Sequence, residues 1–262
     1  MPALISLYGW AAREAVIRAA RAWPVALATI LYFLLTTAAR WLVSPLPQIV
    51  AGFLVGFVEA LCISSYLYLI SRAVDARRIT LEDLKQSFLA LLWDVIGVLF
   101  FLWIGGSVIA FIASGAGDHR PFVEAAWGLA VSVLLNPVPE EIYQGRSPGR
   151  TTDLMLETVR FVQHYWIEWF VPNLLIGIGL LYFVLGAATF DVKTLTIFLP
   201  GLFSLQGAYQ VSGLLIQESD GVLWKLPLIL ALVHLAMVFR GVLFRELITG
   251  NWRARAFRAR TR

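Results

Sequence analysis

The chain has one cysteine and three histidines in 262 residues, and only 15% of its residues are charged. The single cysteine, Cys62, lies inside an apolar run, which excludes an intramolecular disulfide and a cysteine-based metal site. Soluble domains carry about 25% charged and about 45–50% apolar residues. Here 59% of residues are hydrophobic and the mean hydropathy is +0.76, so a soluble fold would lack the polar surface to cover itself. Met1 to Trp23 shows neither a basic stretch ahead of its apolar residues nor a small-residue cleavage site, so the first span is expected to insert uncleaved.

What is present is a series of apolar runs of about 20 residues, each long enough to cross a ~30 Å hydrocarbon core as a helix. They do not alternate every second residue, which excludes a transmembrane β-barrel. The expected fold is all-α: one polytopic membrane domain over residues 1–262, with six transmembrane helices and three interfacial amphipathic helices. The expected spans are Pro24 to Val43, Leu46 to Ile70, Val95 to Ala113, Phe122 to Val138, Asn173 to Phe190 and Leu226 to Phe244. Tyr8 to Ala22 is the first interfacial helix, with Arg13, Glu14, Arg18 and Arg21 on its wet side. Thr80 and Asp83 form a capping-box pattern before the second, whose Leu81, Leu84, Phe88 and Leu91 make one apolar stripe. Pro172 falls at the expected first turn of the fifth span, where its missing N–H costs little.

Thr194 to Gln217 is long enough to cross, yet holds Pro200, Gln206, Gln210 and Gln217. Charge bias assigns it to the outer side as a re-entrant or surface-lying segment. Only six crossings keep the basic residues near the N-terminus, at Arg72 to Lys85, at Arg146 to Arg160 and in the tail all on the cytoplasmic side, with both termini inside. The tail arginines Arg253, Arg255, Arg258, Arg260 and Arg262 directly follow a span, so their expected partner is a bilayer with anionic headgroups and not nucleic acid. Trp23, Trp93 and Trp166, spaced 70 and 73 residues apart, each introduce a span. They mark a threefold repeat of interfacial helix plus hairpin over residues 1–78, 79–150 and 151–262.

The longest polar interruption runs from Pro137 to Asn173. Two prolines open it, Glu140, Glu141 and Tyr143 follow in a loop, and a third interfacial helix closes it. That helix carries Asp153, Glu157, Arg160, His164 and Glu168 at spacings of four, three, four and four, which set them on one face. Met155, Val159, Val162, Trp166 and Trp169 form the opposite face. The loop and the charged stripe are read as cytoplasmic docking candidates for another protein subunit.

Inside the bilayer the polar candidates are Glu59, His234 and Arg240. An intramembrane carboxylate is costly unless paired, so Glu59 is expected to meet His234, Arg240 or a polar path. His119, His164 and His234 are expected at three different depths, which argues against a metal site or a bis-histidine haem; no cofactor and no catalytic residue are expected.

Three resemblances bear on function. Glu140-Glu141 with Arg146, and Phe239-Arg240-Gly241-Val242-Leu243-Phe244, each resemble part of the signature of glutamate-dependent intramembrane CAAX-type proteases, although Arg146 stands one residue beyond the expected place. The repeated interfacial helix and hairpin, with the closing Phe-Arg-Gly-x-Leu-Phe-Arg-Glu-Leu and a basic tail, resemble the six-helix membrane domain associated with bacterial glycerophosphodiester phosphodiesterases. That resemblance implies a bacterial inner-membrane domain without phosphodiesterase activity. Thr80 to Leu92 and Thr194 to Gln217 are similar to the coupling helix and re-entrant outer segment of ABC-2 type exporter permeases, which implies an ATPase partner. The expected function is a non-enzymatic membrane subunit that scaffolds a complex or assists transport. An ABC-2 type permease and an intramembrane protease are the alternatives.

Overall fold

Proline and tryptophan positions divide the chain into helices. The computed structural model describes residues 2–145, 150–185 and 226–249. Among the described residues every regular element is helical: α1 (Pro2–Arg21), α2 (Pro24–Val43), α3 (Gln48–Val74), α4 (Leu81–Ala90), α5 (Leu92–Ser114), a 3-10 turn (Gly117–His119), α6 (Arg120–Leu134), α7 (Val138–Gln144), α8 (Thr151–Leu185) and α9 (Leu226–Thr249). Among the described residues five stretches are long and apolar enough to cross a membrane: Pro24–Val43, Gln48–Val74, Leu92–Ser114, Gly117–Gln144 and Pro227–Thr249. Thr194 to Gln217 and the arginine tail lie outside the described residues, and the expected fifth span runs past Leu185 out of them.

Each expected interfacial helix ends in a break that turns the chain into an apolar helix. The first falls at Ala22 and Trp23, with Pro24 opening α2. The second is at Leu91 (φ −123°, ψ 15°) and the third at Tyr165 (φ −122°, ψ 23°), with nearly the same dihedral angles. The third break corrects the placement of Pro172. The helix restarts after Tyr165, so Pro172 lies inside α8 and not at its first turn. Pro137 and Pro139 separate α6 from the short α7, as their missing N–H groups require.

α3 and α9 form the middle of the bundle. Of the apolar helices α9 is the most enclosed, with 61% of its most apolar window buried against 11% for α5. α1 lies along α9 on a stripe of small residues, Ala11, Ala15, Ala19 and Ala22, all buried at helical spacing. Lacking bulk, this stripe lets two backbones approach closely, so α1 is a packed element as well as an amphipathic one.

α4 docks on α3 through hydroxyls. Thr80 caps it in both directions with Asp83. Ser87 Oγ meets Ser65 Oγ, which also bonds Tyr32 Oη at 2.6 Å. The Leu91 N–H donates to Ser64 Oγ at 3.1 Å. Leu84, Phe88 and Leu91 face the core as expected, but Leu81 is 79% exposed and leaves the predicted apolar stripe.

Hydrogen bonds from the Thr80 hydroxyl and backbone, aided by Arg72 and Arg77, hold the Asp83 carboxyl below its usual range. Because the folded-state value is the lower one, this stabilisation is complete above the usual carboxylate range and fades as pH falls through and below it. Thr80→Ala is expected to remove about 1 kcal/mol from the anchoring of α4. Hydrogen exchange should show faster opening of α4 in that variant, and in the native chain under acid, with α9 protection unchanged.

Candidate functional site

The break between α6 and α7 sets up the most strongly constrained polar site among the described residues. With Pro137 and Pro139 interrupting the ladder, α7 starts with the Glu141 N–H donating to the Pro137 carbonyl at 3.0 Å, and the Asn136 carbonyl is left outside it. Arg240 of α9 takes that carbonyl: Nη2 donates to Asn136 O at 2.8 Å. The same guanidinium grips Glu140 with two bonds, Nε to Oε1 at 2.7 Å and Nη2 to Oε2 at 2.8 Å. Both side chains are 0% exposed.

Aromatic rings enclose this pair. The Arg240 guanidinium carbon lies 5.0 Å from the centre of the Trp169 ring. Trp169 is itself buried, donates from Nε1 to Asn136 Oδ1 at 2.9 Å, and packs edge-on against Phe161 and Phe244. Asn136 thus accepts from α8 through its side chain and from α9 through its backbone. One helical turn along, the contact repeats: Gln144 donates to the Gly241 carbonyl at 3.0 Å, and Arg245 donates to Gln144 Oε1 at 3.2 Å and to Asp75 at 2.7 Å. Val74, the last residue of α3, presents its carbonyl to Arg18 and Arg245 together. Basic groups there complement the negative end of α3.

Gly241 is required by close approach. A Cβ there would stand 2.5 Å from Val74 Cγ2 and 2.6 Å from the Tyr143 hydroxyl. The helices α3, α7 and α9 therefore meet at a point where even a methyl group does not fit without movement.

Several expected site residues are placed elsewhere. Glu140 was expected in an exposed docking loop; it is fully buried in α7, where Arg240 compensates its charge, and is unavailable for docking. Tyr143 is half-buried with its hydroxyl enclosed against Gly241, so it is a packing residue as well. Glu141 is half-buried beside them. Glu59 meets neither His234 nor Arg240 but pairs with Arg40 at 2.7 Å. His234 is buried against α1, its Nε2 3.3 Å from the Ala19 carbonyl, because the alanine stripe brings α1 within reach.

Asp153, Arg160 and His164 are exposed on α8, and Glu157 is partly exposed and bonds Arg160 at 2.7 Å. Glu168 is half-buried and faces α1, where the Tyr8 hydroxyl is pushed up by burial and then by this nearby carboxylate. The predicted apolar face is also corrected: Met155, Val162 and Trp169 are buried, but Trp166 is 58% exposed because the break at Tyr165 rotates it outward. Between α1, α8 and α9 lies a groove of about 610 Å³ lined by Tyr8, Val16, Pro172, Leu175, Leu232 and Phe239 among others. Among the described residues its lining carries no charged side chain.

Sequence reasoning missed Asn136, Gln144, Trp169 and Arg245 as members of this site. The available signal was the pair of half-signatures around Glu140-Glu141 and Phe239-Arg240-Gly241, which the fold joins across a sequence separation of 100.

No family model, curated protein or solved structure matches this chain. The fold and its apolar helices define the class: a polytopic α-helical membrane protein.

Removing one partner of a buried ion pair strands the other charge, so Glu140→Ala should destabilise the protein by about 3–5 kcal/mol. The exposed pair sets the contrast: Glu157→Ala should cost at most about 1 kcal/mol. Unfolding of the purified protein in mixed micelles measures both.

Proposed function

We propose that this protein is a non-enzymatic integral membrane subunit that holds a partner at the membrane surface, in a complex or a transport process. The observation that carries this reading is the division of its polar groups. The carboxylate best placed for chemistry, Glu140, is sealed by Arg240 without exposure, whereas Asp153, Arg160 and His164 of α8 point outward beside the exposed Trp166. A general base must reach the proton it abstracts. Glu140 is directed into its own protein, so the intramembrane protease reading loses its central residue.

In this reading the chain crosses a bacterial inner membrane six times with both termini cytoplasmic, as three hairpins each led by an interfacial helix. The three breaks at Trp23, Leu91 and Tyr165 favour that repeat. The N-terminal half of α8 is then a cytoplasmic docking face, and the arginine tail adds contact with anionic headgroups. This organisation fits the stand-alone relatives of the phosphodiesterase-associated membrane domain.

A permease reading is supported by α4. It is a capped helix between the second and third apolar helices, anchored to α3 on one side while Leu81 and Leu89 remain 79% and 70% exposed. An ATPase docking there would use those leucines.

Affinity purification in mild detergent, comparing the native chain with an Asp153→Lys/His164→Glu variant and with Leu81→Ser/Leu89→Ser, separates the readings. Loss of a co-purifying subunit by about tenfold in the α8 variant alone is the expected result. Loss of an ATPase in the α4 variant alone would favour the permease. Peptide cleavage by the isolated protein, abolished in Glu140→Gln, would overturn both.

A further inference from the structure

The hydroxyls that dock α4 form a chain with one direction. A hydroxyl has one proton to give and two lone pairs with which to receive. Ser87 Oγ gives its proton to the Leu84 carbonyl, one turn back in α4, at 2.6 Å. In its contact with Ser65 Oγ it therefore accepts, and Ser65 donates. With that proton used, Ser65 can only accept from Tyr32 Oη, 2.6 Å away. The order runs from Tyr32 of α2 to Ser65 of α3, to Ser87 of α4, and ends on the Leu84 carbonyl.

All three side chains are buried, Tyr32 at 2% exposure and both serines at 0%, so none of them can turn to water instead. A buried donor left without its acceptor costs more than a neutral hydrogen bond contributes on balance. The acceptor that Ser65 uses belongs to α4. When α4 lifts from α3 that loss falls on Ser65, and through it on Tyr32. Ser87 is the one buried residue of α4, so the helix rests on this contact and on its ends. Tyr32 also meets α4 directly, its ring edge-on to Phe88 with centroids 6.1 Å apart.

We propose that Tyr32, Ser65 and Ser87 act as a relay that makes the first apolar helix, α2, respond to the seating of α4. Hydrogen bonds in a chain polarise one another, so the bond from Tyr32 to Ser65 is strongest while Ser87 holds the far end. A load applied to α4 at the membrane surface then reaches α2 through buried hydroxyls. The Leu91 N–H and Ser64 Oγ fasten the end of α4 to α3 outside this chain, so they hold the helix without informing α2. The relay lies wholly within one chain and holds whichever helix a partner docks on.

Hydrogen exchange of the full chain in mixed micelles tests the proposal. Thr80 lies outside the relay, and Thr80→Ala weakens only the cap of α4. In the otherwise native chain it should speed exchange about fivefold in α4, and by a similar factor from Ala28 to Thr36 of α2. Tyr32→Phe keeps the ring against Phe88 and removes the hydroxyl. On that background Thr80→Ala should still speed α4 about fivefold and leave α2 unchanged. Ser65→Ala, which removes the middle of the chain, should uncouple α2 in the same way. Indifference of α2 to Thr80→Ala in the native chain, or an equal response with the relay cut, would overturn the proposal. An equal rise in α9 would also overturn it, because the whole bundle would then be loosening. If Ser65→Ala impairs folding, Tyr32→Phe decides alone.

Discussion

The constraint on which the bundle depends is the need to compensate Glu140. A fully buried carboxylate is tolerable only when a cation and further hydrogen bonds meet it, and a planar guanidinium meets both oxygens at once. Arg240 does this at 2.7 and 2.8 Å, and its guanidinium is met in turn by the Asn136 carbonyl and the face of Trp169. The proline break before α7 leaves the Asn136 carbonyl for Arg240, and α8 brings Trp169 against the same guanidinium. Burying ions is not by itself a strong source of stability, since desolvation offsets much of the attraction. What the pair contributes is register: α7 and α9 fit together in one way.

Secondary contacts reinforce that register without duplicating it. Gln144 and Arg245 continue the α7–α9 contact by one turn, and Arg245 with Arg18 gathers the end of α3 to the same place. At the other end of the α2–α3 hairpin Arg40 bonds Glu59 at 2.7 Å, joining the two helices of the hairpin to each other.

Much of the fold was legible from local chemistry. Thr80 and Asp83 mark the start of α4 because a capping box is a four-residue event, and Pro137 and Pro139 mark the end of α6 because proline removes a donor wherever it stands. The tryptophans locate the breaks to within a residue or two. The site was much less legible. Glu140 and Arg240 are 100 residues apart, and helical periodicity carries no information on which faces of distant helices meet. Two prolines and two adjacent glutamates resemble an exposed loop until a cation from elsewhere allows them inside. Glu59 pairs with Arg40 and not with His234 or Arg240 for a related reason: arginine at a helix end ordinarily reaches for water, and nothing in the spacing signals that this one turns inward. The seam that the alanines of α1 form with α9 is likewise invisible in the local pattern, which shows an amphipathic helix but not the helix it packs on.

The central claim is that Glu140 and Arg240 act as one unit, and a double-mutant cycle tests it most directly. If the pair specifies register by mutual compensation, Arg240→Met should be as damaging as loss of the carboxylate, and combining it with Glu140→Leu should cost clearly less than the two single losses together, with a coupling of about 2–3 kcal/mol in mixed-micelle unfolding. Additive losses, with coupling below about 0.5 kcal/mol, would show that the two residues matter separately and would contradict the account.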